Sequence, residues 1–296
     1  MILITGVNGL VGSALVRELL AQGRVPTGVG QGEQRNHALG AFAYRALDLA
    51  SPAALAEVLD AVKPTVIFHC AAMTAVDRCE SEGALAWATN VAPTLQLAAW
   101  SALHGARFVY VSTDYVFSGE AGPYQESDGM GPLSVYAKTK AAGELAALSV
   151  NAASVIARTS IPFGTLAHVK KDFVRWLVAE LEAMRSVKIV TDQLSCPTLV
   201  DDLARSLILL ADGDFTGVVH TAGRTGLSRF DFAQLIARVW SLDSSLISPA
   251  VTADLRQPAP RPMDARLDVS LALSLGLPLH ELEEGLRTVR NQLKGK

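Results

Sequence analysis

Tyr136 and Lys140 stand four residues apart in Tyr136-Ala137-Lys138-Thr139-Lys140, and Thr113 precedes the tyrosine by 23 residues in Ser112-Thr113-Asp114. Pro132 and Ser134 come just ahead of the tyrosine, so a helix beginning near Ser134 puts the phenol and the ammonium one turn apart on one face. That pair suits acid catalysis. A free tyrosine has a pKa of about 10, and cycling its proton at neutral pH requires about 4 kcal/mol of preferential stabilisation of the phenolate, which a neighbouring cation favours. Thr113 is placed to hydrogen-bond the same oxygen. The three groups together would protonate a ketone oxygen while hydride arrives at its carbon.

Such chemistry needs a redox partner, and the first twenty residues predict its seat. Ile2, Leu3 and Ile4 form an apolar run without alternation, as in a strand buried on both faces. Thr5-Gly6-Val7-Asn8-Gly9-Leu10-Val11-Gly12 follows, and Val11, Leu15 and Leu19 then repeat along one side of a helix that Gly23 would close in a left-handed cap. Gly6 permits a sharp turn, Gly9 lets a pyrophosphate approach backbone N–H groups, and Gly12 lets helix and strand pack closely. One more residue separates the first two glycines than in the G-x-G-x-x-G fingerprint. The expected ligand is a dinucleotide, and its oxidised nicotinamide would add a second positive charge beside the phenol.

Val25 to Gly30 predicts a second strand, with Gly30-Gln31-Gly32 at its tip and Glu33 and Arg35 just beyond. An NAD-specific site would place an acid at that tip. Its absence, with Arg35 close by, favours NADP(H), while Glu33 leaves NAD(H) open. Thr65 to Ala71 is the next buried strand, and the small pair Ala71-Ala72 at its end permits a nucleotide to lie across the edge. His69 and Cys70 read as interior packing.

The elements that must carry these groups alternate. Ser51-Pro52 starts a helix, with Ser as cap, that runs to about Val62, and Glu82 to Ala102 reads as one long helix carrying Asn90. Arg107 to Ser112 is a strand, a helix extends through Leu148, and Ser154 to Ala157 is again a strand. This pattern predicts an α/β fold with a parallel sheet covered by helices on both faces. Downstream come an amphipathic helix over Asp172 to Met184, a strand over Val187 to Val190, and a helix over Thr198 to Leu210 capped near Thr198. Val218 to His220 is expected as the last sheet strand. Ser228 to Trp240 and Glu281 to Leu293 are helices flanking the proline-rich Gln257 to Pro262. Asp201-Asp202 reads as first-turn helix charge and not as metal ligation. The expected division is 1–163 for the dinucleotide domain, with return segments about 196–222, and 164–195 with 223–296 for a smaller substrate lobe.

Composition excludes several function classes. Of 296 residues half are hydrophobic and 19% charged, which describes a globular chain, and a net charge of −3 gives no basic field for nucleic acid. No apolar run reaches the roughly 18 residues of a membrane span, and a strand starting at residue 2 leaves no room for a signal peptide, so a cytoplasmic protein is expected. Cys70, Cys79 and Cys196 are odd in number and lack C-x-x-C spacing, against both a disulfide framework and a zinc site.

Taken together these residues resemble the extended short-chain dehydrogenase/reductases, whose signatures are T-G-x-x-G-x-x-G and a Ser/Thr, Tyr, Lys set. More narrowly the chain resembles the dTDP-4-dehydrorhamnose reductase family. Ala71 to Glu80 is similar to that family's A-A-Y-T-A-V-D-x-x-E, Ser112 to Phe117 to its S-T-D-Y-V-F, and Tyr136 to Glu144 to its Y-x-K-T-K-x-x-G-E. Asp192-Gln193, Pro197-Thr198, Arg261-Pro262 and Arg266-Leu267-Asp268 extend the likeness over almost the whole chain. The resemblance implies a Rossmann-like doubly wound sheet with a smaller discontinuous α+β substrate-binding lobe, and a catalytic set of Thr113, Tyr136 and Lys140. It implies Gly6, Asn8, Gly9, Leu10, Val11, Gly12, Gln31, Arg35, Asp48, Leu49, Ala71, Ala72, Asn90 and Ser112 at the cofactor, together with Tyr136 and Lys140. Thr74, Val76, Thr113, Asp114, Tyr115 and Ile161 would meet the substrate, Asp114, Tyr115 and Ile161 at its sugar, and Arg261, whose planar fork matches phosphate oxygens, the nucleotide diphosphate.

The implied activity is NADPH-dependent reduction of the 4-keto group of a nucleotide-linked 6-deoxyhexose, dTDP-4-dehydrorhamnose to dTDP-L-rhamnose in the family's case, with a Mg²⁺ requirement and a homodimer left open. Tyr115 occupies the place where the related dehydratases carry a glutamate, so no elimination acid is in view. Met73 replaces an aromatic residue, Phe163 a tyrosine, and Ile161 stands where the family usually has a tryptophan beside the sugar. A smaller wall there would admit another nucleotide 4-ketosugar. The contrasting expectation is a non-catalytic NADP-binding subunit, since the regulatory subunit of methionine adenosyltransferase resembles the same family.

Overall fold

Consecutive residues of the innermost strands face opposite cores. Leu3, Ile67 and Phe108 point into one apolar cluster and Ile4, Phe68 and Val109 into another, the period of two that a sheet covered on both sides demands. The computed structural model describes residues 1–166, 169 and 171–294. Its N-terminal part runs β1 (Ile2–Thr5), α1 (Leu10–Ala21), β2 (Thr27–Gly30), β3 (Ala43–Ala46), α2 (Pro52–Val62), β4 (Val66–His69), α3 (Val76–Ser81), α4 (Gly83–Asn90), α5 (Ala92–His104), β5 (Arg107–Thr113), α6 (Val135–Val150) and β6 (Val155–Thr159). Then follow β7 (Pro162–Phe163), α7 (Phe173–Glu182), β8 (Val187–Val190), β9 (Leu194–Ser195), β10 (Thr198–Leu199), α8 (Val200–Asp212), β11 (Gly217–His220), β12 (Leu227–Ser228), α9 (Arg229–Trp240), β13 (Ile247–Ala250), α10 (Ser270–Ser274) and α11 (Leu282–Lys294).

Among the described residues seven strands form one parallel sheet in the order β11-β6-β5-β4-β1-β2-β3. The chain starts in β1, leaves to one side through β2 and β3, and returns to the other through β4. The carboxyl ends of β1 and β4, in register at Thr5 and His69, therefore bound a switch point, where open α/β sheets form their crevice. Helices α1 and α8 cover one face, and α2, α5 and α6 the other. A further apolar cluster of Val174, Leu177, Phe232, Ile236 and Leu286 joins α7, α9 and α11 beyond the sheet edge. No helix among the described residues is long and apolar enough to cross a membrane.

Several expectations are corrected. The long helix over Glu82 to Ala102 is two helices, α4 and α5, parted at Val91, because Pro93 has no N–H to continue the ladder. Asn90 is consequently the last residue of α4. Thr198 does not cap α8; it sits in β10, its hydroxyl donating to the Ser160 carbonyl at 2.7 Å. Ser51 does precede α2 with Pro52 at the first position, but its hydroxyl makes no capping bond. Strand β3, absent from the sequence pattern, pairs with β2 at the sheet edge. Asp201 and Asp202 do lie in the first turn of α8 as expected, Asp201 facing Arg17 and Asp202 accepting from the His280 ring at 2.7 Å.

The turn between β1 and α1 is packed against its own backbone. A Cβ on Gly12 would lie 2.4 Å from the Gly6 carbonyl oxygen, whereas nothing lies within 4 Å of one on Gly23, which closes α1 at φ +71°. Gly12→Ala is therefore expected to cost about 2–3 kcal/mol through overpacking against backbone that cannot yield, and Gly23→Ala about 1 kcal/mol through backbone strain alone. Urea unfolding of both variants checks this, and equal losses would refute the packing explanation.

Candidate active site

Gly6 leaves β1 at φ +73°, and a Cβ there would stand 2.8 Å from both the nitrogen and Cα of Ala71. The glycine turn and the tip of β4 thus touch through backbone. Gly6 N–H and Val7 N–H both donate to the Val29 carbonyl, tying the turn to β2. From this junction opens a crevice of about 770 Å³, within the range of small-molecule sites. Gly6, Gly9, Leu10, Val11, Gly12, Gln31, Asp48, Leu49, Ala71, Ala72 and Ser112 line it at one side, and Thr74, Val76, Thr113, Asp114, Tyr115, Tyr136, Lys140 and Ile161 at the other.

Three expected cofactor residues do not line it. Asn8 turns its amide onto the carbonyls of Gln31 and Glu33 and the Tyr44 hydroxyl, and accepts from Arg35 N–H, so it braces the loop after β2. Arg35 is exposed on that loop. Asn90 is buried, accepting from Met73 N–H at 2.7 Å and donating to Thr139 Oγ1 at 2.9 Å, while Thr139 donates to the Tyr136 carbonyl. Asn90 therefore positions the strand tip against the helix bearing the phenol. Arg261 also lies outside the lining. Its guanidinium is held by Asp77 at 3.0 Å and the Ala259 carbonyl at 3.1 Å.

His69 continues the same bridge. Thr94 spends its hydroxyl proton on the Asn90 carbonyl, so it can only accept from His69 Nε2, and Nδ1 of the ring accepts from Thr5. The ring is thus the neutral Nε2–H tautomer, and burial, aided by Lys140, pushes its pKa down to about 3. Expected as packing, His69 is also a hydrogen-bonded tie between β1 and α5.

Helix α6 begins as expected, Ser134 Oγ accepting from Ala137 N–H, and carries Tyr136 and Lys140 one turn apart. The electrostatics depart from expectation. Burial pushes the Tyr136 phenol above its ordinary value, with Asp114 and Tyr115 adding to the rise and the Thr113 hydroxyl opposing it. Lys140 directs its ammonium to the Val111 carbonyl at 2.7 Å and over the Tyr110 ring at 3.9 Å, and burial lowers it to about 7. Glu144, one turn further on and itself paired with Arg158 at 2.8 Å, opposes that fall.

Thr113 donates to Asp114 Oδ1 at 2.9 Å and Ser160 to Oδ2 at 2.5 Å, so both carboxylate oxygens are engaged. Burial nevertheless raises Asp114 to about 6. Tyr115 packs edge-on against Tyr136, ring centroids 6.1 Å apart. Ile161 stands at φ +40°, a left-handed conformation rare for a β-branched residue. Sequence reasoning missed Arg229, which lines the crevice from the first turn of α9, and Ser160, whose only signal was its place after β6. The arrangement offers a phenol, an ammonium and a hydroxyl at one end of a glycine-floored cleft, a set chemically able to hand a proton to a bound oxygen.

Comparison with known proteins agrees in outline. A family model described as the RmlD substrate binding domain matches residues 1–294. The chain is similar to a probable low-salt glycan biosynthesis reductase, Agl14, of Haloferax volcanii, with 34% identity over 96% of this chain and 95% of the relative. It is also similar to methionine adenosyltransferase 2 subunit beta of Xenopus laevis, with 31% identity over 93% of this chain and 82% of the relative. Among solved structures it is similar to the dTDP-4-dehydrorhamnose reductase of Bacillus anthracis in complex with NADP, with a TM-score of 0.87 and 27% identity over 98% of each chain.

Lys140 sets a measurable linkage. Because its pKa in the fold is about 7, the unfolded chain holds a proton that the folded one lacks from there up to about pH 10.4, and stability gains with pH across that window. Below about pH 7 the whole cost of the buried ammonium is present. Lys140→Met is expected to raise the melting temperature by about 5 °C at pH 6, with the advantage shrinking towards pH 10. Calorimetry at the two pH values checks it, and a variant no more stable than wild type at pH 6 contradicts the assigned burial cost.

Proposed function

The chain belongs to the RmlD substrate binding domain family, and from that premise we propose that it uses NADPH to reduce the 4-keto group of a nucleotide-linked 6-deoxyhexose, dTDP-4-dehydrorhamnose being the substrate that relatives favour. The observation that carries the reading is the convergence of Thr113, Tyr136 and Lys140 on the crevice floored by Gly6, Gly9 and Gly12. Gly6, Gly9 and Gly12 put no side chain on the crevice floor, and Gly6 and Gly12 are packed too closely on backbone to take one, which fits a pyrophosphate. Gly9, Leu10, Val11 and Gly12 would hold that group, Ala71 and Ala72 the flat parts of the dinucleotide, and exposed Arg35 a ribose phosphate. When bound, NADPH supplies the hydride.

The chain's own residues supply the proton and its control. Tyr136, kept protonated by burial, donates to the ketone oxygen as negative charge develops there. Thr113 cannot be the primary donor while its single proton rests on Asp114. The Lys140 ammonium stabilises the phenolate once the proton has left, and the Thr113 hydroxyl joins it by turning its proton from Asp114 to the phenolate oxygen. Asp114, fixed by Thr113 and Ser160, presents its remaining lone pairs to sugar hydroxyls. Ile161 forms the wall that selects among 4-ketosugars, and the lobe built from about 164–195 and 223–296 closes over the sugar nucleotide.

A second reading is favoured by the 31% identity to a methionine adenosyltransferase subunit, under which the chain binds the dinucleotide without turning over. One assay separates the two. Wild type should oxidise NADPH, followed at 340 nm, when given dTDP-4-keto-6-deoxy sugar, and Tyr136→Phe should lower kcat by about 10²–10⁴-fold with the Kd for NADPH unchanged. A wild type that binds NADPH yet stays inert across nucleotide ketosugars supports the subunit and rejects the reductase.

A further inference from the structure

Three guanidinium or ammonium groups line the crevice, and two are already engaged. Arg78 forms a two-toothed pair with Glu82, both contacts at 2.8 Å, and Lys140 is bonded to the Val111 carbonyl. Arg229 differs. Its guanidinium lines the crevice over the Phe173 ring, 5.1 Å from the centroid, and among the described residues no carboxylate pairs with it. Asp114, whose charge Arg229 offsets, has both oxygens occupied by Thr113 and Ser160. Stacking on an aromatic face holds a guanidinium in one plane while leaving its N–H edge free, the geometry that matches paired phosphate oxygens. Arg261, the residue expected to meet the diphosphate, has its fork on Asp77 and the Ala259 carbonyl, and its side chain is only 9% exposed.

We propose that Arg229 is the residue that binds the diphosphate of the sugar nucleotide, with Phe173 as its platform. The inference rests on the nucleotide-sugar reading above and adds the side chain that anchors the anionic half of the substrate. Arg261 then acts by holding the segment around Ala259 against Asp77, a contact in which it cannot serve phosphate without breaking its own ion pair.

Titration calorimetry on the full chain, with thymidine diphosphate and thymidine as probes, tests this. Arg229→Gln should weaken thymidine diphosphate at least tenfold, leave thymidine and NADP⁺ within about twofold, and flatten the salt dependence of diphosphate binding. Arg229→Lys, which keeps the charge without the fork, should fall between Gln and wild type, and it stands in for Gln if that variant unfolds. Arg261→Gln should lower the melting temperature while changing diphosphate affinity by less than about threefold. Unchanged diphosphate binding in Arg229→Gln overturns this inference alone, as does an equal loss for thymidine, which would make Arg229 a support for the crevice wall. A wild type that binds no thymidine diphosphate overturns the nucleotide-sugar reading with it.

Discussion

The site depends on one buried polar bridge. Thr5 at the end of β1, His69 at the end of β4, Thr94 on α5, Asn90 at the end of α4 and Thr139 on α6 pass hydrogen bonds from one to the next, ending on the Tyr136 carbonyl. A second bond from Asn90 reaches Met73, beyond Ala71 and Ala72. The strand before the glycine turn and the helix carrying the phenol are thus joined through groups removed from water, where an unmade bond is expensive. Sheet and helices could pack in small rotations of one another; this chain of donors and acceptors admits one.

Around that bridge the charges are arranged at a cost to the fold. Lys140 is buried with a carbonyl and an aromatic face, and Glu144, which favours its charge, is itself matched by Arg158. The result is an ammonium poised near neutrality beside a phenol that burial keeps protonated. Asp114 is likewise poised, held by two hydroxyls in a place that would otherwise protonate it. Groups of this kind, displaced from their ordinary ranges in a shared cleft, are the mark of a site shaped for proton transfer more than for stability.

Much of this was legible in the residues. The glycine turn, the parallel α/β alternation and the one-turn spacing of Tyr136 and Lys140 all follow from local pattern, and each feature appears where the pattern put it. Strand β3 was not legible because it is an edge strand whose Ala43, Arg45 and Ala46 are exposed, so no alternation marks it. The break between α4 and α5 was legible in Pro93 but outweighed by the continuous apolar content around it. Arg229 was hidden for a different reason. It lies 115 residues from Asp114 in the chain, and nothing in Ser228-Arg229-Phe230 says that the helix start folds back onto β5. Lys140 shows the limit of spacing itself, since helical geometry foretold its neighbour and not its burial.

Ile161 carries a consequence for how such a protein changes. A β-branched residue at φ +40° is held there against a preference of about 1–2 kcal/mol, because its carbonyl must receive Thr198 N–H as the chain passes from β6 into the second apolar cluster. Replacement by glycine or asparagine would relieve that strain and widen the pocket in a single step. Altered selectivity elsewhere in a binding site is commonly gained by giving up robustness; at this position drift towards bulkier ligands runs downhill in both respects, which makes it a natural point of divergence among descendants.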